Sequence, residues 1–206
     1  SSQRLNKLLI DILDLSKVES GKMDLSKDEF ELKEIFDSLQ EIFGYDIEQK
    51  GLEFNYAIES EIPDTLLGDS TRLTQILFNL LGNAIKYTLS GKVLLDVQIK
   101  SRNKSNYYLL FTVSDTGSGI PSKFQEHIFE TFTQANLSGS PYTRRYEGAG
   151  LGLPLVKRLV NLMGGNVFLE SEEGEGTTVY VMLPFEVPLC KAAEAEKVEV
   201  PRTRIR

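Results

Sequence analysis

Cysteine and histidine are nearly absent from this chain, which has one of each, Cys190 and His127. A lone cysteine cannot build a disulfide framework within one chain, and it excludes the cysteine-based zinc sites. Long hydrophobic runs are missing too. None approaches the ~18 residues needed to cross a membrane, and no signal peptide opens the sequence. The expectation is a protein without membrane contact of its own, placed in the cytoplasm. Lys/Arg-rich runs are also lacking, and a formal net charge of −7 argues against a nucleic-acid partner. No G-x-x-x-x-G-K-[ST] loop occurs: Gly91-Lys92 is followed by Val93 and has Lys86 where the first glycine should stand.

The remainder is ordinary globular material. The 206 residues, 41% hydrophobic and 26% charged, suffice for one good core with length left for appendages. The first residues already follow a helical pattern, and after Pro188 the composition turns charged and rich in Ala, Glu and Lys, which reads as linker. Both ends suggest a piece of a longer protein.

Near the start, Leu5, Leu8, Ile12 and Leu15 are spaced by three, four and three residues, with Leu9 and Val18 broadening the seam. This predicts a helix with a coiled-coil-like stripe, ended by Gly21. Two uses fit the stripe: packing on its own domain, or meeting a partner helix elsewhere. A short strand and a helix follow, the helix with Leu32, Ile35, Phe36, Leu39 and Phe43 on one face. Leu52, Phe54, Tyr56 and Ile58 alternate as in a half-buried strand. A second long helix begins at a cap, Asp69 or Ser70, and carries Leu73, Ile76, Leu77, Leu80 and Ile85. Two strands flank the polar turn "SRNKSN", a glycine-led helix runs to Met163, and a last hairpin closes around "EEGEG". Helices mixed with hairpins give an α+β class, a sheet with helices on one face.

Four clusters could carry chemistry. Asn79, Asn83 and Lys86 share one face of the second long helix, with Tyr87 just beyond. An amide oxygen there can hold a hard cation and an ammonium can meet phosphate, although Asn83 serving local backbone and Lys86 simply solvated fit as well. In "SDTGSGI", Asp115 ends an apolar strand and can accept from an exocyclic amine, while Gly117 and Gly119 let backbone turn against a flat ligand. A calcium loop is excluded, since glycines occupy ligand positions and Ile120 stands where the required glycine belongs; a plain turn is not. "YEGAGLGLPLVKRLV" puts Gly148, Gly150 and Gly152 at every second position before a helix, which brings bare backbone N–H groups to a helix start. Pro154 falls in that first turn, where its missing N–H costs nothing. A glycine hinge is the plainer alternative. Finally, "GEGTTV" offers the hydroxyls of Thr177 and Thr178 in what is otherwise a tight turn.

Asn83-Ala-Ile-Lys86-Tyr87-Thr88, Asp115-Thr-Gly117-Ser-Gly119, "IFETFTQ", Gly148-Ala-Gly150-Leu-Gly152-Leu153 and Gly174-Glu-Gly176-Thr177 occur in that order. Together they resemble the N, G1, F, G2 and G3 boxes of the ATP-binding catalytic domain of sensor histidine kinases. Each box is weak alone; the ordered set is specific. "LLIDILDLSKVESGKMDL" is similar to the second helix of the dimerisation and histidine-phosphotransfer hairpin of the same family. The organisation implied is residues 1–22 as the end of that helix, 25–187 as the catalytic domain and 188–206 as linker. "VPRTRIR" resembles the lead-in to a receiver domain of hybrid kinases. The implied fold is a two-layer α+β sandwich of the Bergerat type, with a mixed, mostly antiparallel sheet behind one long helix.

The resemblance also implies roles. ATP and Mg²⁺ would bind, with Asn83 coordinating the ion, Asn79 supporting it and Lys86 on phosphate. Asp115 would accept from the adenine amine, with Thr177 sharing that contact through water. Tyr87, Ile120 and Leu153 would line the base slot beside Gly117 and Gly119, and backbone at Gly148, Gly150, Leu151 and Gly152 would cradle phosphate. Between Phe132 and Gly148 would lie a mobile lid. Gln134 replaces an arginine found in some relatives, and whether Arg144 or Arg145 substitutes stays open. Partners would be a phosphoacceptor histidine domain and a response regulator or receiver domain, in a homodimeric parent. Related ATPases carry a general-base glutamate where this chain has Asn79, and an amide cannot accept a proton. An imidazole nucleophile needs less help. His127 lacks the sequence setting of a phosphoacceptor and reads as a surface histidine, which leaves no catalytic residue in the chain and the acceptor upstream of Ser1. The rival reading is a degenerate kinase used as a dimerising signalling scaffold.

Overall fold

A computed structural model describes residues 12–14, 16–18, 20–103, 105–130 and 151–188. Seven strands form one mixed sheet. In chain order the elements are β1 (Asp28–Glu31), α1 (Leu32–Lys50), β2 (Glu53–Ile58), β3 (Thr65–Gly68), α2 (Ser70–Tyr87), β4 (Lys92–Arg102), β5 (Asn106–Asp115), the single turn α3 (Ser122–Gln125), α4 (Gly152–Leu162), β6 (Asn166–Glu172) and β7 (Gly176–Glu186). Sheet order is β1-β3-β7-β5-β4-β2, with β6 also on β7. Only β2 and β4 run parallel; every other pair is antiparallel. The expected α+β sandwich is therefore the observed one.

Alternation explains why the sheet has one covered face. Val93, Leu95 and Val97 of β4, Leu109, Phe111 and Val113 of β5, and Val179, Val181, Leu183 and Phe185 of β7 all point inward and are buried. Against them pack Phe36 and Leu39 of α1, Leu73, Ile76, Leu77 and Leu81 of α2, and Leu155, Val156, Leu159 and Val160 of α4. Every heptad-like spacing read from the sequence for α1 and α2 lands on this core. The other face stays open, with Leu94, Tyr108 and Phe168 exposed.

Asp69, rather than Ser70, caps α2. Its Oδ1 accepts from the Arg72 N–H at 2.9 Å, and its Oδ2 from the Ser26 N–H at 3.0 Å. The strand β3 escapes a sequence reading: "TLLG" is four residues long, shows no alternation and follows Pro63 closely. It forms only because β1 pairs along it and β7 touches its end at Leu67.

Residues 12–14 and 16–18 are helical, and Gly21 follows at φ 65° as expected, with the Lys22 N–H closing on the Lys17 carbonyl. Val18 packs on the core, whereas Ile12 is 51% exposed. Asp14 accepts from Gln75 Nε2 at 2.8 Å and pairs with Arg72, so this helix touches α2. Leu5, Leu8, Leu9 and Leu15 lie outside the described residues, as do Cys190 and the residues from 189 on.

Candidate functional site

The last turn of α2, the turn after β5, the β6–β7 hairpin and the start of α4 meet at one end of the sheet. Register brings two of them together. Asp115 is the last residue of β5 and pairs with Thr177, the second residue of β7. Residues 62 apart in sequence thus become neighbours at one end of the sheet's central strands.

Asp115 is half-buried, and loss of water is the largest influence on it, pushing its carboxyl above the usual carboxylate range. Backbone N–H groups of Gly117 and Thr177, and the Thr88 hydroxyl, hold the ionised form against that push. The Gly117 N–H donates to Oδ1 at 2.8 Å. Thr88 is fully buried, and its hydroxyl, with one proton to give, also lies 2.7 Å from the Ala84 carbonyl. The acid is held in place by these donors and keeps some exposure to solvent.

Bare backbone walls this corner. A Cβ on Gly117 would stand 2.7 Å from the Tyr87 carbonyl oxygen, so only glycine lets the turn approach α2 that closely. Gly176 has φ 125°, and a Cβ there would come within 2.0 Å of the Asp115 carbonyl oxygen. The Ser118 N–H donates to the Tyr87 carbonyl at 3.3 Å, and the Gly174 N–H to the Ser118 carbonyl at 2.8 Å. Gly119 sits against the Glu172 carbonyl on the hairpin. Half-buried Ile120 donates its N–H to Ser171 Oγ at 2.8 Å. Ser171 is a hub: its hydroxyl donates to the Gly176 carbonyl at 2.8 Å and lies 2.9 Å from Thr177 Oγ1. Gln125 Nε2 ties α3 into the same hub through the carbonyls of Ile120 and Ser171.

On α2, Asn79 is 7% exposed and donates Nδ2 to the Gln75 carbonyl at 3.0 Å. Its Oδ1 faces the start of α4, 3.4 Å from where a Cβ on Gly152 would be. Asn83, Lys86 and Tyr87 are half-buried further along. Lys86 Nζ meets Tyr87 Oη at 3.3 Å and lies 4.8 Å above the ring centroid. Leu151 is buried and precedes the first turn of α4; its carbonyl accepts from the Leu155 N–H at 3.0 Å. Among the described residues, no side chain caps that helix start. Leu153 is half-buried at the core's margin.

The sequence-nominated residues from Asn79 to Lys86, Asp115 to Ile120, Leu151 to Leu153 and Thr177 therefore sit on adjoining elements. Gly148 and Gly150, the lid from Phe132, Gln134, Arg144 and Arg145 lie outside the described residues. His127 is exposed just beyond α3, 3.0 Å from Glu130. Among the described residues no group of three or more His, Cys, Asp or Glu could hold a metal by itself. No described helix is long and apolar enough to cross a membrane. Thr88 and Ser171 were missed as site residues. A buried hydroxyl at a helix end and a serine in register with Thr177 are signals that emerge only once the strands are paired.

Fold and site together define a class: a two-layer α+β domain with a polar corner where the turn after β5 meets the end of α2 and the β6–β7 hairpin. The chain belongs to the family of histidine kinase-, DNA gyrase B- and HSP90-like ATPases, whose model matches residues 68–187. It is 37% identical over 188 residues to hybrid signal transduction histidine kinase B of Dictyostelium discoideum, covering 91% of this chain and 9% of that kinase. It is 37% identical over 180 residues to signal transduction histidine-protein kinase BarA of Escherichia coli, covering 87% of this chain and 19% of that protein. Among solved structures, full-length ShkA in complex with AMPPNP aligns with TM-score 0.75 and 32% identity, over 89% of this chain and 36% of ShkA. The chain is the ATP-binding catalytic domain of a histidine kinase in type, and its relatives in that group include hybrid kinases.

Proposed function

We propose that this chain grips Mg-ATP and presents its γ-phosphoryl group to a histidine carried by a separate phosphoacceptor domain of a two-component sensor kinase. The observation that carries the reading is Asp115: a desolvated carboxylate fixed by two backbone N–H groups, paired with Thr177, and set among glycines packed closely on the neighbouring backbone. Such an acid accepts the exocyclic amine of adenine. Thr177, Gly117, Gly119, Ile120, Tyr87 and Leu153 complete the base slot.

The phosphates extend toward α2 and α4. Asn83 supplies a hard amide oxygen, and Lys86 a cation, from the face that Gly152 abuts through Asn79. This donor set fits Mg²⁺, which keeps most of its water and phosphate ligands and asks little of the protein. When bound, the ion neutralises charge on the transferring group. The start of α4, with Leu151 and Gly152, turns backbone N–H groups and the positive end of the helix dipole toward the phosphates, and the sequence pattern nominates Gly148 and Gly150 for the same cradle. During transfer an imidazole nitrogen bonds to the γ-phosphorus as the bond to the β–γ bridging oxygen breaks, and ADP leaves with that electron pair. Asn79 offers no base, and its amide donates to its own helix instead. Water therefore lacks an activating group, whereas imidazole brings its own lone pair.

The domain division follows: 1–22 as the end of a dimerisation and phosphotransfer helix, 25–187 as the catalytic domain, and 188–206 as a linker toward a receiver domain. β1, β2 and α1 lie outside the family match yet belong to the sheet and its cover, which supports a start near residue 25. The parent would be a homodimer working with a response regulator or receiver domain, on the cytoplasmic side where ATP is supplied. The test is a calorimetric titration with AMPPNP and Mg²⁺. Saturable binding that weakens on Asn83→Ala and Asp115→Ala is expected. A folded chain with no affinity for the nucleotide would favour the scaffold reading.

A further inference from the structure

A helix leaves its last four carbonyls without intrahelical partners, and α2 shows where each acceptor at its end goes. The Ala84 carbonyl takes the Thr88 N–H, with the Thr88 hydroxyl close by, and the Tyr87 carbonyl takes the Ser118 N–H. The carbonyls of Ile85, Lys86 and Thr88 all turn to one group, Lys50 Nζ, at 2.5, 3.1 and 3.2 Å. Lys50 comes from the last turn of α1, yet α1 does not use it as a cap. Gly51 in the left-handed region and the Leu52 N–H close that helix on the carbonyls of Glu48 and Ile47. The ammonium of one helix thus ends the next, at the negative pole of its dipole.

We infer that Lys50 is a positioning residue of the nucleotide site: by fixing the segment Ile85–Thr88 from behind, its ammonium sets Thr88 against Asp115 and the Tyr87 carbonyl against the Gly117–Ser118 turn. The segment is held by two sets of hydrogen bonds. Lys50 holds the carbonyls of Ile85, Lys86 and Thr88; the Ser118 N–H holds that of Tyr87, beside the turn from which Asp115 receives its backbone partner at Gly117. Without the ammonium, three half-buried carbonyls must seek water, and the segment loses the one partner common to all of them. Burial lowers the proton affinity of Lys50 while nearby Asp46 supports the charge. Neither influence acts on the base slot directly, so the effect is transmitted through Thr88 and Tyr87.

This inference rests on the nucleotide reading above, and its test separates the two. The chain and its Lys50→Met and Lys50→Arg variants are titrated with Mg²⁺-ADP and with Mg²⁺-IDP, in which a carbonyl replaces the adenine amine. Titrations are run well below each melting temperature, with circular dichroism to verify folding. The unsubstituted chain is expected to prefer ADP. Lys50→Met should lose about tenfold in ADP affinity and less for IDP, so that the preference narrows, and Lys50→Arg should restore it. A residue that only stabilised the fold would lower the melting temperature and leave the preference of the folded protein unchanged; that result overturns the inference alone. If Lys50→Met does not fold, Lys50→Gln, which keeps a donor and loses the charge, takes its place under the same criteria. Absent or equal binding of ADP and IDP by the unsubstituted chain overturns the nucleotide reading and the inference with it.

Discussion

The two ends of α2 are both governed by an aspartate, and the two aspartates are used in opposite ways. At the start, Asp69 has given both carboxylate oxygens to backbone N–H groups of Arg72 and Ser26 and is buried. At the end, Asp115 is held by Gly117, Thr177 and Thr88 but is only half-buried, and loss of water weighs on it more than its partners relieve. One acid is spent on the protein and serves the scaffold. The other is held ready for something outside it. The start of α4 resembles the second pattern, since its N-cap residue, Leu151, carries no side-chain acceptor. What separates scaffold from site here is whether a polar group's capacity is used up within the fold.

Replacing each acid tests that division, and the Asp115 change is the larger in its effect on ligand. Asp115→Ala removes the acceptor for the adenine amine, and Mg-ADP affinity should fall about 100-fold or more. The melting temperature should hardly move, because the lost hydrogen bonds are offset by relief of a desolvated charge. Unchanged affinity measured by calorimetry would remove the base-recognition role altogether.

Asp69→Ala should give the mirror image. Loss of an N-cap costs about 1–2 kcal/mol, seen as a lower denaturant midpoint. Nucleotide affinity in the folded protein should stay within about twofold, since nothing from Asp69 reaches the cleft. A large loss of affinity under conditions where the variant is fully folded would mean that both ends of α2 serve the ligand.

A pH series sharpens the contrast. The Asp115 carboxyl is raised by burial, so its protonation begins at a higher pH than for an ordinary aspartate. Binding needs the carboxylate, and affinity should therefore decline as pH falls through that raised value. Stability runs the other way: the buried charge is the unfavourable form, so its contribution is fully present at low pH and is lost as pH rises through the folded value. Asp115→Asn should abolish this component of both profiles. An affinity that is flat over the same range in the unsubstituted chain would contradict the assignment.

Much of this was legible in the sequence, for a local reason. Helices α1 and α2 and the two hairpins announce themselves through spacing and turn residues, and the five ordered boxes bring Asn83, Asp115, Gly152 and Thr177 into one family pattern. What stayed hidden depends on pairings between distant segments. β3 exists because β1 and β7 flank it. Ser171 is a hub because register sets it beside Thr177 and Gly176. Lys50 reads as an ordinary basic residue in the last turn of its own helix, and only the packing of α1 on α2 shows that it ends a different one.

The smallest expected effect is none at all. If α2, Asp115 and α4 form a grip that positions a triphosphate without supplying an acceptor, the chain incubated with γ-labelled ATP should stay unlabelled. His127, the only imidazole, is exposed, and its neighbour Glu130 raises its proton affinity, so it holds its proton to higher pH than a free imidazole. It also sits beyond α3, tied through Gln125 and Ser171 to the base side of the corner rather than to the helix start proposed for the phosphates. His127→Ala should accordingly leave Mg-ADP affinity within about twofold. Adding a separate phosphoacceptor domain should produce acid-labile label on that domain alone. Acid-labile label on His127 would mean that the corner delivers phosphate to its own chain, and the distinction between gripping and receiving would collapse.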